Sequence, residues 1–147
     1  MILKTHQACQ SENELQKYDM NEINPVLVEK YQLMLQADPT AKVFAPLAEA
    51  YRKMGLIEEG LQLGLKGIDF HPDFASGRVA LGRLYLQKNN LDLAVEQLQK
   101  AVDLAPENLL AQSLLGETLL KLRRPKEALQ AFKMLLLLNP LDQKAQR

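Results

Sequence analysis

The sequence predicts an all-α protein in which antiparallel helix-turn-helix repeats stack into a right-handed superhelix, an α-solenoid. The first observation is a proline that recurs at positions 39, 72, 106 and 140 with nearly constant spacing. Because proline cannot continue a helix, a recurrent proline indicates a recurrent helix end. The second is that bulky and small apolar residues recur at matching places between the prolines. The third is a turn signal near the middle of each interval.

Each unit is counted to two residues beyond its proline, which divides most of the chain into repeats at 41–74, 75–108 and 109–142. Upstream, residues 24–40 are interpreted as the second helix of a degenerate unit, whose first helix would be Glu12–Met20. The ends are expected to be a mobile or partly helical arm at 1–23 and a truncated or uncapped tail at 143–147.

Within each unit, apolar residues at the seventh and eleventh positions lie four apart on one helical face and supply bulk. They are Leu47 and Tyr51, Leu81 and Tyr85, and Leu115 and Leu119. Small residues at the eighth and twentieth positions let the two helices approach closely: Ala48 and Gly60, Gly82 and Ala94, and Gly116 and Ala128. The turn signals between the helices are Met54-Gly55, Asn89-Asn90 and Arg123-Arg124-Pro125.

This pattern resembles the tetratricopeptide repeat (TPR) family, which favours small residues at positions eight and twenty-seven, alanine at twenty, aromatics at eleven and twenty-four, and proline at thirty-two. The best-matching unit carries Leu81, Gly82, Tyr85, Ala94, Leu98, Ala101 and Pro106. Two positions depart from the family. The tryptophan favoured at position four is replaced by Phe44, Arg78 and Gln112, and position twenty-four is Gly64, Leu98 and Phe132.

The second helix of the 41–74 unit carries a stripe of glycines, Gly60, Gly64 and Gly67. Each glycine costs a helix up to ~1 kcal/mol relative to alanine. We favour close packing as the reason, with Phe44, Tyr31 or Phe70 filling the space. The alternative is room for a partner side chain, or a loosened repeat.

The resemblance implies a concave groove lined by the first helices of successive units, at positions two, five, nine, twelve and thirteen. The candidate partner-binding residues there are Lys42, Glu49, Arg52, Val79, Arg83, Leu86, Leu110, Ser113, Glu117, Leu120 and Lys121. Apolar side chains among charged ones suit a peptide, a helix or a small domain with a few hydrophobic anchors. The carboxylate clamp of the family's chaperone-binding members is absent on this alignment, since Ala45, Glu49, Ala80, Leu110 and Leu114 occupy its places.

Several classes of function are disfavoured by composition and motifs. Eighteen basic residues balance eighteen acidic ones among the 147, so no basic excess points to nucleic acid. No run approaches the roughly 20 apolar residues of a membrane helix. The histidines, His6 and His71, have no nucleophile or carboxylate in catalytic spacing, and no glycine-rich phosphate loop or metal-ligand set occurs. We therefore expect no catalytic residue, metal or cofactor. A single cysteine, Cys9, suits a reducing compartment, and we expect the cytoplasm.

Two features near the C-terminus offer alternatives. The apolar run Leu135, Leu136, Leu137 and Leu138 precedes the last proline without a polar capping helix behind it, which favours self-association or a longer native chain. The basic residues Lys121, Arg123, Arg124 and Lys126 surround one hairpin turn, and we favour a solvated loop over a site for an acidic partner.

The sequence therefore predicts a non-enzymatic scaffold or adaptor that binds a protein segment, and general likeness suggests a bacterial motility, polarity or secretion complex. The alternatives are a self-assembling structural module and an accessory domain of a longer protein.

Overall fold

The computed structural model describes residues 23–139, which form seven α-helices and no strand. In chain order they are α1 (Pro25–Ala37), α2 (Phe44–Lys53), α3 (Ile57–Phe70), α4 (Ala75–Gln87), α5 (Leu91–Leu104), α6 (Leu109–Lys121) and α7 (Pro125–Leu138). The predicted all-α class is confirmed. The predicted arm with its Glu12–Met20 helix, Cys9 and His6, and the predicted tail, lie outside the described residues.

The helices pack as consecutive antiparallel pairs. Helix α2 packs on α3, α4 on α5 and α6 on α7, while α1 packs on α2 without a described partner of its own. The pairs stack because α3 contacts α4 and α5 contacts α6. The first helices α2, α4 and α6 also contact one another in sequence, so they form one continuous surface.

Side-chain caps and prolines start several of the helices. The Asn24 carboxamide oxygen accepts hydrogen bonds from the backbone N–H groups of Val26 and Leu27, at 3.0 and 3.3 Å. Asn90 and Asn108 cap α5 and α6 in the same way. Pro25 and Pro125 occupy the first turns of α1 and α7, where a missing N–H costs no helical hydrogen bond.

The three hairpin turns share one backbone conformation. Gly55, Asn89 and Arg123, at the same position of each unit, have φ of 79°, 61° and 59°. In each turn the N–H of the following residue donates to the carbonyl oxygen five residues back, at 2.9 Å. This is a Schellman helix end, which requires a left-handed residue. Arginine is the costliest of the three there, because its Cβ crowds the following carbonyl oxygen.

The turns between units are also alike, and they explain why two of the three units carry a polar residue at position four. The Arg78 guanidinium donates to the Pro72 carbonyl oxygen through Nε at 3.2 Å and through Nη2 at 3.0 Å. The Gln112 side chain donates to the Pro106 carbonyl oxygen, also at 3.0 Å. In both units a polar side chain at position four fastens the turn that precedes its helix.

The glycine stripe of α3 is a packing surface, as we favoured. A Cβ on Gly60 would lie 2.8 Å from Leu84 Cδ2, and one on Gly64 would lie 2.7 Å from Leu81 Cδ2. A Cβ on Gly67 would overlap the ring of Phe44. Of the three expected fillers only Phe44 is used. Tyr31 lies on α1 and Phe70 remains 46% exposed, and leucines of the next unit take their place.

We predict that Gly67→Ala destabilises the protein by about 1–3 kcal/mol, because overpacking against a rigid ring exceeds the helix-propensity gain of up to ~1 kcal/mol. Gly64→Ala is the comparison variant and should destabilise the protein less, because the clash there is with the end of the buried Leu81 side chain and not with a ring. Urea unfolding followed by circular dichroism measures both. A Gly67→Ala protein as stable as Gly64→Ala would contradict the packing account.

We predict that Arg123→Gly stabilises the protein by about 1 kcal/mol by relieving the left-handed arginine. Arg123→Gln removes the same charge while keeping the strained backbone, so it should leave the thermal midpoint nearly unchanged. Equal stabilisation by both substitutions would assign the gain to charge instead.

Candidate functional site

The candidate site is the surface formed by the first helices α2, α4 and α6. Equal positions of successive units lie side by side on it, as the contact between Glu49 and Arg83, each at position nine of its unit, demonstrates. The three helices therefore run in the same direction. Their C-terminal ends, the hairpin turns that follow and the first turns of the second helices lie along one edge, which we call the hairpin edge.

A polar network joins α2 to α4 in this surface. The Glu49 carboxylate accepts from Arg52 through Nε at 2.9 Å and through Nη2 at 2.6 Å. Arg83 Nη1 lies 3.1 Å from the same carboxylate. Arg52 also donates through Nη1 to the Gln87 carboxamide oxygen, at 3.0 Å. The two arginines thus share one acidic partner, and the network fixes the two helices relative to each other.

The hydrogen bonds that Arg52 donates to Glu49 raise the pKa of Arg52, with a smaller contribution from the charge of that carboxylate. The three charged side chains of the network are between 19% and 31% exposed. Arg52 is therefore held in place by its hydrogen bonds, while Arg83 is the most exposed charged side chain of the network.

Helix α6 presents the open part of the surface. Leu110 and Leu120 are 46% and 51% exposed, and Glu117 and Lys121 lie exposed on the same face. Ser113 donates a hydrogen bond to Glu117, at 3.3 Å. The structure thus places two accessible leucines among polar groups, in the arrangement that the sequence predicts for this helix.

Two of the predicted apolar contacts are less available. Val79 is 6% exposed and packs in the core with Ala101 and Ala111. Leu86 is half-buried and packs against the core cluster around Leu98, Leu115 and Leu119. Lys42 is exposed, and its Nζ lies 5.3 Å from the centroid of the Phe74 ring. These residues do not join the open surface of α6.

The hairpin edge is basic. Arg124 pairs with Glu127, whose hydrogen bonds raise the pKa of Arg124. Lys88 pairs with Glu58 at 2.6 Å. Four other cations of this edge make no ion pair with a described carboxylate and are exposed: Lys53, Lys121, Arg123 and Lys126.

The C-terminal end of α7 is apolar and partly open. Leu137 is 72% exposed and Leu138 is 38% exposed, whereas Leu135 and Leu136 are half-buried.

Arg52 and Arg83 are candidate partner-binding residues by sequence, and their shared bond to Glu49 was not predicted. The signal was present, since position nine alternates as Glu49, Arg83 and Glu117 along the surface. The hydrogen bonds from Arg78 and Gln112 to the turns between units were also not predicted. There the signal is a polar residue six positions after Pro72 and after Pro106.

Within residues 23–139, no group of three or more histidine, cysteine or carboxylate side chains could hold a metal ion. Over the same span, every helix is too short or too polar to cross a bilayer.

Comparison with known proteins supports the repeat assignment. A sequence profile described as tetratricopeptide repeat matches residues 79–145. No curated protein sequence matches the chain.

Among solved structures, MamA designated AMB-1 is 32% identical, with a TM-score of 0.67, over 77% of this chain and 68% of MamA. MamA from Desulfovibrio magneticus RS-1 is 23% identical, with a TM-score of 0.67, over 77% of this chain and 64% of the other.

YrrB, described as a TPR protein with an unusual peptide-binding site, is 23% identical, with a TM-score of 0.72, over 80% of this chain and 61% of YrrB. The matches at 23% identity support the fold alone. The chain thus spans about two thirds of the length of the structures it matches. The match to MamA at 32% identity, together with the profile match and the stacked hairpins, shows that this chain belongs to the tetratricopeptide repeat family.

Proposed function

We propose that this protein is a non-enzymatic scaffold or adaptor that binds a segment of another protein on the surface of α2, α4 and α6. The observation that carries the proposal is the pair of open leucines on α6, Leu110 and Leu120, each about half exposed on a first helix. Exposed apolar side chains rimmed by polar groups are typical of binding surfaces. The peptide-binding site for which YrrB is described is consistent with this use of the fold.

The two leucines would act as the anchors. They are ten residues apart on one helix, which corresponds to about 15 Å. A segment of four or five extended residues, or about ten helical ones, covers that distance. Arg83, Glu117 and Lys121 would set its orientation, and Leu86 would border it. Val79 is left out of the proposed contact surface because it is buried.

The remaining polar groups support a binding role over a catalytic one. His71 Nε2 lies 2.5 Å from the carbonyl oxygen of Thr40, so its ring takes part in a turn contact. Arg52 is held by Glu49 and Gln87. We propose the cytoplasm as the setting, since a lone cysteine suits a reducing compartment. A bacterial motility, polarity or secretion complex stays a prediction.

A second candidate function is self-assembly through the apolar end of α7. The exposure of Leu137, at 72%, favours it, together with the neighbouring Leu138. A patch of this kind is buried when it pairs with a second copy or with a partner. An accessory domain in a longer protein would cover the same end with a further helix.

For the groove, we predict that Leu110→Glu with Leu120→Glu lowers recovery of bound proteins from an extract of the source cell at least tenfold. Each buried anchor contributes about 1.5–3 kcal/mol, and about 1.4 kcal/mol is tenfold in affinity. Quantitative mass spectrometry measures the recovery, and circular dichroism checks the fold.

The matched control is Leu65→Glu with Leu129→Glu, on second helices, where the two leucines are 44% and 54% exposed. This control should recover the same proteins as the unaltered chain. If the groove variant and the control lose the same proteins to the same degree, the surface of α6 is not the binding site.

For self-assembly, we predict that the protein forms oligomers at high concentration and that Leu137→Glu returns them to monomers. Light scattering measures the mass, and Leu65→Glu controls for added charge. A protein that stays monomeric at every concentration would refute this candidate.

A further inference from the structure

We infer that the partner segment is acidic next to its apolar anchors, and that its carboxylates lie on the hairpin edge, against Lys53, Lys121, Arg123 and Lys126. The inference rests on the proposed function and specifies the partner's chemistry. It follows from the distribution of charge on the first helices, not from net charge, because the whole chain is neutral.

The charges in the middle of the surface sum to zero. Glu49 is shared by Arg52 and Arg83, and Glu117 supplies a further negative charge at the equivalent position of α6. Together these four residues carry two positive and two negative charges. A partner gains little from a charge placed against Glu49 or Arg52, because their ion pair would have to be broken to use it. Glu117 makes no ion pair with a described cation, so it disfavours a carboxylate at the middle of α6 and leaves the hairpin edge as the place for one.

The hairpin edge is different. Position thirteen of the three units is Lys53, Gln87 and Lys121. Arg123 follows Lys121 in the turn, and Lys126 lies in the first turn of α7. All four cations are exposed and make no ion pair with a described carboxylate. Lys88 and Arg124, at the same edge, are already paired. The edge also carries two exposed carboxylates without an ion pair to a described cation, Glu59 and Asp92. Four unpaired cations therefore outnumber two unpaired carboxylates, and the net charge of this edge is positive.

Leu120 connects this charge to the proposed anchors. It is 51% exposed and directly precedes Lys121 on α6. A segment that seats an apolar side chain on Leu120 necessarily brings its neighbouring residues to the basic edge. Carboxylates there would gain several favourable Coulomb interactions, whereas lysines would be repelled.

The opposite edge, formed by the turns between units, carries acidic residues. They are Asp38, Asp69, Asp73, Asp103 and Glu107, with Lys42 and Arg78 as the opposing charges. The surface thus changes sign across its width. A polymer that is uniformly negative, such as a nucleic acid, would be repelled by the acidic edge, so a short acidic stretch within a protein segment fits better.

The test uses fluorescein-labelled peptides of equal length, each with two leucines five or ten residues apart to suit extended and helical binding. All the remaining positions of a peptide are glutamate in one series, glutamine in a second and lysine in a third. We expect the glutamate peptides to bind at least tenfold more tightly than the lysine peptides in 50 mM salt. The difference should shrink in 500 mM salt, because screening weakens exposed charge interactions. Fluorescence polarisation gives the dissociation constants.

The variant Lys53→Glu with Lys121→Glu should remove the preference for glutamate. Lys66→Glu with Lys133→Glu is the matched control, since both lysines are exposed on second helices and the change in net charge is the same. The control should keep the preference. A single-stranded oligothymidine serves as the competing polyanion.

The outcomes separate this inference from the function on which it rests. If the leucine peptides bind with equal affinity whatever their charge, the groove function stands and the acidic partner is refuted. Equal loss in both charge variants, or tighter binding of oligothymidine than of the glutamate peptides, also refutes it. If no peptide binds, the acidic partner and peptide binding in the groove are both refuted.

Discussion

The close approach of helices at small residues is the constraint on which the rest of this structure depends. Leu84 and Leu81 of α4 lie against Gly60 and Gly64 of α3. Leucine side chains from the first helix of one unit therefore pack closely on the backbone of the second helix of the preceding unit. Within the following unit, Leu98 lies against Gly82 in the same manner. These contacts set the distance between helices, because a protein interior tolerates neither voids nor overlaps of a methyl group.

That spacing brings equal positions of successive first helices into contact. The pairing of Glu49 with Arg83, across α2 and α4, is possible only because the units stack in register. The same stacking places Gln87 within hydrogen-bond distance of Arg52. Buried packing on one side of the first helices therefore determines which polar groups meet on the other side, the surface proposed for binding.

The hairpin turns show the same coupling between local and global structure. Gly55, Asn89 and Arg123 adopt left-handed angles at the same place in each unit, although only the first two residue types favour them. Arg123 holds this conformation because the helices on both sides are fixed by packing. The turn that it closes also presents the basic edge, so backbone geometry contributes to the surface charge.

The sequence by itself determined the helical class and the family, and it predicted the unit register, since these depend on spacing along the chain: a proline at a nearly constant interval, and small residues opposite bulky ones. It also identified Leu110 and Leu120 as candidate contacts. Only the tertiary structure decided that Val79 is buried, that Leu81 and Leu84 rather than Tyr31 or Phe70 fill the glycine stripe, and that Glu49 holds two arginines. The physical reason is that burial and ion pairing arise between helices, where the twist of one unit on the next selects the partners, and a repeat pattern along one chain does not specify that twist.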